Sequence, residues 1–173
     1  MEAVANPADK NQYVTLNNGT KMPKFGLGTM GMTREDNDES VETMRSAVRD
    51  KGYRHFDCAY FYKNEQLVGK AIKKLIEEDK CVKREDLYVT TKLWWDQTPD
   101  PEGETRKALE RMGLEYIDQM LVHWPCCIKA IQNADGTETY EKQNIPMYKI
   151  WANMESLVDK GLVKSIGISN FNV

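Results

Sequence analysis

Residues 52–69 read GYRHFDCAYFYKNEQLVG, and this stretch contains the unit from which the fold is built. Gly52 follows an apolar pattern of helical spacing over about 38–51, where a glycine that ends a helix is expected. The short β-type run 55–59 comes next, and a second helical pattern covers about 64–78. One strand between two helices is the basic unit of an α/β protein.

The same order of helix, glycine and strand returns twice further along the chain. Gly113 precedes the β-type run 117–124, and Gly161 precedes the run 163–169. Strands that alternate with helices predict a parallel sheet covered by helices, here in a single domain over residues 1–173. The predicted elements are a β-hairpin at about 13–23, then βα units over about 25–173 with strands at 25–29, 55–59, 87–94, 117–124 and 163–169 and helices at about 38–51, 64–78, 100–112 and 146–160.

Right-handed crossovers that repeat in one direction curve a sheet, so the predicted fold class is α/β of the (β/α)8 TIM-barrel type. This chain would contribute the N-terminal hairpin, the first five barrel strands and four helices. An open doubly wound sheet is the competing interpretation. Against it, the glycine-rich strand at 25–29 lacks a G-x-G-x-x-G fingerprint that leads into a helix.

Composition excludes several classes of partner. The chain has 173 residues and a formal net charge of -3, which gives no reason to expect nucleic acid or an anionic membrane as a partner. No apolar run approaches the ~18 residues of a membrane-spanning helix, and the polar start lacks the apolar core of a signal peptide. The four cysteines form no metal-ligand spacing with the two histidines. We therefore expect no metal site, free thiols and a cytoplasmic location.

Three polar residues lie at or near the ends of successive predicted strands. They are Asp57, Lys92 and His123, and their spacing is close to one βα unit of ~30 residues. Parallel strands bring their carboxyl ends to one face, so an acid, an ammonium group and an imidazole should meet there. Tyr62 follows Asp57 closely enough to join them.

This set of side chains can transfer a proton. An ammonium group such as that of Lys92 stabilises a nearby phenolate, and a carboxylate such as Asp57 keeps a lysine charged. His123 can donate a hydrogen bond to a substrate oxygen and polarise a carbonyl. The group could therefore protonate a carbonyl oxygen while hydride reaches the carbon. No side chain donates hydride, so a nicotinamide or flavin cofactor is required.

Several long motifs, in the same order, resemble those of the aldo-keto reductase family of NADPH-dependent reductases with a (β/α)8 barrel. Residues 52–69 resemble the signature that holds the catalytic Asp and Tyr. Residues 91–94 and 121–125 are similar to the segments with the catalytic Lys and His. Residues 161–171 resemble the signature whose Ser and Asn bind the nicotinamide carboxamide. The resemblance covers nearly the whole chain.

The resemblance implies an oxidoreductase that reduces aldehydes and ketones to alcohols with hydride from NADPH. Tyr62 would be the general acid, Lys92 and Asp57 would assist it, and His123 would orient the carbonyl. The residues implied in cofactor binding are Gly28, Thr29, Met30, Asp57, Ser169 and Asn170. Those implied in contact with a small-molecule carbonyl substrate are Met30, Phe61, Trp94 and Trp124.

Some features leave the substrate and the partners open. Met30 stands where family members that act on aldoses and aromatic aldehydes often have Trp, and Trp95 is expected to be a surface or loop residue. The polar connection 126–145 is either a lid over the site or a tolerated surface insertion.

By the family pattern, three further strands and the loops that hold most of the cofactor would follow residue 173. Without them, the sheet would have two open edges and an inner face in contact with water. The chain would then be part of a longer reductase, be completed by another chain or by self-association, or be a catalytically inactive, truncated relative with a structural or interaction role.

Overall fold

The computed structural model describes residues 12–32 and 38–172. The predicted domain also includes residues 1–11, 33–37 and 173, which lie outside the described part. In chain order the elements are β1 (Tyr13–Thr15), β2 (Lys21–Pro23), β3 (Leu27–Gly28), α1 (Asp38–Lys51), β4 (His55–Asp57), α2 (Glu65–Glu77), β5 (Tyr88–Leu93), α3 (Pro101–Met112), β6 (Ile117–Val122), β7 (Ile128–Gln132), β8 (Glu138–Lys142), α4 (Met147–Asp159) and β9 (Val163–Ile168).

Five strands form one parallel sheet, in which they lie in the order of the chain, β3-β4-β5-β6-β9. In a doubly wound sheet the strand order reverses at a switch point. The sequential order therefore supports barrel-type winding over the doubly wound alternative, and the predicted alternation of parallel strands with helices is confirmed. The strands are shorter than predicted, so that His123 follows β6 instead of lying within it.

Helix ends match the sequence pattern. The glycines predicted to end helices, Gly52, Gly113 and Gly161, all have positive φ angles, which this position favours. At the start of α3, the Asp100 side chain accepts a hydrogen bond from the Gly103 amide at 3.0 Å. The first hairpin is also confirmed, because β1 and β2 pair in antiparallel fashion.

The helices pack on one face of the sheet through apolar side chains of helical spacing. One buried cluster joins α1 and α2 to β4 and β5, and a second joins α3 and α4 to β6 and β9. Burial of such side chains, at ~25 cal/mol per Å², is the main stabilising contribution to a fold of this kind. The buried apolar residues of α2 are Leu67, Val68, Ala71, Ile72 and Leu75.

Helices α2 and α3 approach each other closely at Gly69. A Cβ atom built on Gly69 would lie 2.0 Å from the carbonyl oxygen of Met112. Only glycine therefore fits here without moving a helix. This contact fixes α2, which begins directly after the turn that contains Tyr62, against the end of α3.

The other face of the sheet carries a hydrogen-bonded polar layer. Thr90 Oγ1 lies 2.9 Å from His55 Nε2 and donates to Gln119 Oε1 at 3.3 Å. The hydroxyl groups of Tyr88 and Ser165 form a hydrogen bond at 3.0 Å. Thr90, Tyr88 and Ser165 are all buried. The expectation that this inner face meets water is therefore wrong for this layer, because neighbouring strands satisfy each other's polar groups.

The polar connection 126–145 between β6 and α4 has secondary structure of its own, which the sequence analysis did not predict. It contains the antiparallel hairpin of β7 and β8, whose turn is held by Asp135. The Asp135 carboxylate accepts hydrogen bonds from the amide and the hydroxyl of Thr137 at 3.0 and 2.7 Å. Both strands are largely exposed. A hairpin that buries neither face has no period-two apolar pattern, so its strands leave no clear signal in the sequence.

Candidate active site

The residues predicted to be catalytic lie together at the carboxyl edge of the parallel sheet. Asp57 is the last residue of β4, Lys92 is next to last in β5, and His123 follows β6 directly. Tyr62 ends the 3-10 turn Tyr60–Tyr62, which comes shortly after β4. This grouping follows from topology, because all parallel strands end at the same edge.

The ammonium group of Lys92 is at the centre of the site. It donates to a carboxylate oxygen of Asp57, to the Cys58 carbonyl oxygen at 2.9 Å and to the Tyr62 hydroxyl at 3.4 Å. The Lys92 side chain is 6% exposed and that of Asp57 is 43% exposed. A buried ammonium group is strongly unfavourable without partners, and here a carboxylate and a carbonyl replace its lost hydration.

A tight turn holds Tyr62 in place. The Tyr62 amide donates to the Ala59 carbonyl at 3.1 Å, and Lys63 ends the turn with a left-handed φ of 56°. The buried Asn64 then donates from its side chain to the Thr29 carbonyl oxygen at 2.7 Å. The turn is therefore tied to the residue after β3 as well as to β4.

The buried His123 ring lies beside two aromatic rings. Its centroid is 5.8 Å from that of Tyr62 and 4.9 Å from that of Trp94, both edge to face. Burial, followed by the positive charge of Lys92, lowers the pKa of His123 from 6.5 to about 4. The ring is therefore neutral at pH 7. Its Nδ1 atom is buried and has no hydrogen-bond partner in the described part of the chain, which favours the tautomer that carries the proton on Nε2.

Two of the residues predicted to bind the cofactor border Asp57. Gly28 pairs in register with Asp57, and Thr29 donates its amide at 3.0 Å and its hydroxyl at 3.1 Å to the Asp57 carbonyl oxygen. A Cβ atom on Gly28 would meet no other atom within 4 Å. The glycine therefore leaves open space beside the site, whereas a Cβ on Gly26 would press on the His55 ring at 2.9 Å.

Ser169 and Asn170 lie directly after β9, next to His123. The Asn170 side-chain amide donates to the His123 carbonyl oxygen at 2.9 Å and to Ser169 Oγ at 3.0 Å. Met30 follows β3 at the same edge and is 73% exposed. The fold thus brings the predicted cofactor-binding residues to the edge that carries the four predicted catalytic ones.

Aromatic side chains flank the site on the side of β5. Phe61 and Trp94 stack with ring centroids 4.1 Å apart, and the Trp95 ring lies 4.2 Å from that of Trp94. Trp124, which follows His123, is 40% exposed. Trp95 lies in a turn as predicted, but it is partly buried within this cluster, and its carbonyl accepts from the first amide of β7 at 3.1 Å.

Sequence reasoning missed a buried ion pair directly behind the site. Glu65, the first residue of α2, is 2% exposed. It accepts hydrogen bonds from the Thr91 hydroxyl at 2.7 Å and from Arg111 Nε at 2.6 Å. An acidic residue in the first turn of a helix indicates only a favourable interaction with the helix N-terminus. Its partners come from a strand and a helix that only the fold brings near.

The described residues 12–32 and 38–172 contain no cluster of metal-binding type and no membrane-spanning helix. No group of three or more His, Cys, Asp or Glu side chains in these ranges is arranged to hold a metal ion. No helix in the same part of the chain is long and apolar enough to cross a membrane. The cysteines Cys58, Cys81, Cys126 and Cys127 are free.

Known proteins similar to this chain include an aldose reductase and a glycerol 2-dehydrogenase. The chain is 41% identical over 162 residues to the aldose reductase of Encephalitozoon cuniculi, which covers 90% of this chain and 52% of that protein. It is 38% identical over 176 residues to the glycerol 2-dehydrogenase (NADP(+)) of Saccharomyces cerevisiae, which covers 95% of this chain and 54% of that protein.

The structure is similar to that of the aldose reductase from Schistosoma japonicum, with a TM-score of 0.78 and 36% identity over 92% of this chain and 53% of that one. The chain therefore spans about half the length of these relatives. Residues 24–173 match the Aldo/keto reductase family. The chain belongs to the aldo/keto reductase family.

Proposed function

We propose that this chain carries the catalytic residues of an oxidoreductase that reduces aldehyde and ketone carbonyls to alcohols with hydride from NADPH. The observation that carries the proposal is the position of the Lys92 ammonium group, between the Asp57 carboxylate and the Tyr62 hydroxyl. A phenol, an ammonium group and a carboxylate in direct contact form a proton-transfer group without the help of a metal.

Tyr62 is the general acid of the proposed reaction. Its hydroxyl gives a proton to the carbonyl oxygen of the substrate as negative charge develops there. The Lys92 ammonium, 3.4 Å from this hydroxyl, stabilises the phenolate that remains. Asp57 and the Cys58 carbonyl oxygen hold the ammonium group in place, and the low exposure of Lys92 strengthens its electrostatic effect.

His123 orients the substrate carbonyl. A ring that is neutral at pH 7 and protonated on Nε2 can donate one hydrogen bond to the carbonyl oxygen. Since His123 carries no charge, the proton that the oxygen receives comes from Tyr62. The Tyr62 and His123 rings lie edge to face with centroids 5.8 Å apart, so both belong to the same site.

The residues at the carboxyl edge fit a nicotinamide cofactor, which supplies the hydride when it is bound. Gly28 leaves open space beside Asp57, and the Asn170 amide and Ser169 hydroxyl offer hydrogen bonds next to His123. Thr29, Met30 and Asp57 would complete the cofactor-binding set from this half of the sheet. NADP is favoured over other cofactors because the yeast relative is named a glycerol 2-dehydrogenase (NADP(+)).

The substrate is a small carbonyl compound with an apolar part. Phe61 and Trp94 stack on each other beside His123, and Phe61 remains 41% exposed, so its outer face offers an apolar surface to the substrate. Trp124 and Met30 would contact the same molecule from the exposed rim. The hairpin of β7 and β8 is fixed at its base to the turn that holds Trp95, so it would cover the substrate from the side of β5 and β6.

Turnover of the proposed kind needs both edges of the sheet to be covered. Within the described residues, β3 and β9 each pair on one side only. We infer that further parallel strands, from the same polypeptide or from another, pair with these edges and complete the cofactor site. The alternative function is that of a catalytically inactive family member with a structural or interaction role.

Titration with NADPH and assay with a panel of aliphatic and aromatic aldehydes test the proposal. Tyr62→Phe should lower kcat at least ~10²-fold, in the range expected for loss of a general acid, while NADPH affinity stays unchanged. Tyr60→Phe, in the same turn, is the matched control and should keep its activity. Full activity in Tyr62→Phe would refute the assignment of the acid. Turnover by residues 1–173 alone would refute the inferred need for further strands, and a polypeptide with both edges covered that neither binds NADPH nor reduces any aldehyde would favour the inactive alternative.

A further inference from the structure

We propose that Glu65 is a positioning residue that fixes the distance between Lys92 and Tyr62. The inference rests on the proposed function, because it concerns the same proton-transfer group. Glu65 acts through its neighbours on a strand, a turn and a helix. Its carboxylate joins the strand to the helix, and its backbone follows the turn.

The first connection leads to the strand that carries Lys92. Thr91 precedes Lys92 in β5, and adjacent residues of a strand point to opposite faces of the sheet. The Lys92 side chain therefore reaches the active site while the Thr91 hydroxyl reaches α2. Thr91 is fully buried and donates to Glu65 Oε1 at 2.7 Å. The position of the strand at Lys92 is thus fixed relative to the start of α2.

The second connection leads to the turn that carries Tyr62. Glu65 follows this turn directly, and its Oε2 atom accepts from Arg111 Nε on α3 at 2.6 Å. The Arg111 guanidinium lies 5.2 Å from the ring centroid of Tyr60, within the range of a cation–π interaction. Tyr60 begins the turn that Tyr62 ends. Glu65 is therefore linked to the end of the turn through the backbone and to its start through Arg111.

Burial makes this arrangement rigid. The Glu65 side chain is 3% exposed and that of Arg111 is 30% exposed, so the carboxylate cannot exchange its partners for water. The contact between Lys92 and Tyr62, at 3.4 Å, is already at the limit of a hydrogen bond. A small shift of β5 relative to the turn would break it, and a displacement of ~1 Å can reduce turnover ~10²-fold.

The test compares two variants of this network with a matched control. Glu65→Gln keeps the shape of the side chain but removes its charge. Thr91→Val removes the hydrogen bond from Thr91 to Glu65 and leaves the ion pair between Glu65 and Arg111 in place. The control is Asp118→Asn, which disrupts a similarly buried ion pair to Arg84 near the opposite end of the strands. Each variant is purified as the full chain, and its folded fraction is determined by urea unfolding.

Glu65→Gln should lower kcat for aldehyde reduction by ~10- to 100-fold per folded molecule, with KM changed by less than ~3-fold. Thr91→Val should show a smaller loss of the same kind. Asp118→Asn should lose stability but keep its kcat per folded molecule. Equal kcat in Glu65→Gln and wild type, or an equal loss in Asp118→Asn, would overturn the proposal. If Glu65→Gln does not fold, the kcat of Thr91→Val per folded molecule decides whether the network positions Lys92 and Tyr62.

A second measurement does not depend on turnover. In protein labelled with ¹³Cζ-tyrosine, the Tyr62 resonance is assigned from its absence in Tyr62→Phe. Glu65→Gln and Thr91→Val should shift or broaden this resonance, and Asp118→Asn should not. An unchanged Tyr62 resonance in both variants would refute the positioning role. A wild-type polypeptide with both sheet edges covered that shows no reductase activity would instead refute the proposed function, and the resonance would then decide about Glu65 alone.

Discussion

Replacement of Gly69 by alanine tests the packing that holds α2 against α3. The new Cβ atom would lie 2.0 Å from the Met112 carbonyl oxygen, 2.6 Å from its carbonyl carbon and 2.7 Å from its Cα atom. Ordinary van der Waals contact begins at 3.4 Å. All three atoms belong to the backbone of a helix and cannot rotate away, so the two helices must separate.

Two effects of opposite sign determine the size of the change. Alanine is favoured over glycine within a helix by ~1 kcal/mol. Overpacking of a core contact costs ~1–3 kcal/mol, and the upper end applies where backbone must move. Separation of α2 and α3 would also weaken the burial of Leu67, Val68 and Ile72. We expect Gly69→Ala to lower the free energy of unfolding by ~2 kcal/mol.

Urea unfolding followed by tryptophan fluorescence measures this change. Lys73→Ala, in the same helix at a side chain that is 71% exposed, is the control and should change the stability by less than ~0.5 kcal/mol. If Gly69→Ala were as stable as the wild type, or more stable, helix propensity would outweigh the contact. The close approach of α2 to α3 would then not be a constraint on this fold.

Two further predictions concern buried ionisable side chains, those of Asp118 and His123. Asp118→Asn should lower the free energy of unfolding by ~3 kcal/mol, because the buried carboxylate accepts from Arg84 at 2.7 Å and from the Val89 amide at 3.0 Å. A loss below ~1 kcal/mol in urea unfolding at pH 7 would contradict this. Stability should also fall as the pH is lowered from 6.5 towards 4, because the pKa of His123 is about 4 in the folded chain and 6.5 ordinarily, so that the unfolded chain binds more protons in this window. His123→Asn should reduce the slope of stability against pH between 6.5 and 4. Part of the slope should remain, because burial also lowers the pKa of His55. An unchanged slope in His123→Asn would be evidence against the lowered pKa of His123.

The positions of Asp57, Lys92 and His123 could be predicted because they depend on a repeating unit. Each lies at or next to the end of a strand within one βα repeat, and parallel strands necessarily share an edge. The hairpin over 126–145 was not predictable in this way, because its strands are exposed and carry no apolar alternation. The inner polar layer was missed for a related reason, since Thr90 and Ser165 are polar in sequence and become buried only when the strands pair.

The burial of Glu65, at the site itself, could not be predicted from the sequence either. A glutamate in the first turn of a helix is common on protein surfaces, and nothing local indicates that it is buried. Its partners Thr91 and Arg111 come from separate elements, so their contact exists only after the sheet and the helices have packed. Residues 52–69 therefore contain two site residues that the sequence predicts, Asp57 and Tyr62, and one that it does not, Glu65.

The sequence by itself determined the alternation of helices with the parallel strands, the family and the identity of the four residues that meet at the carboxyl edge. The alternation follows from local periodicity. The family and the four residues follow from motifs in which the residue types and their spacing both indicate the function. Only the tertiary structure decided that Lys92 is buried between Asp57 and Tyr62, that His123 is neutral and that Glu65 connects the elements behind them. Burial and charge pairing arise from contacts between residues distant in the chain, and such contacts have no local signature in a single sequence.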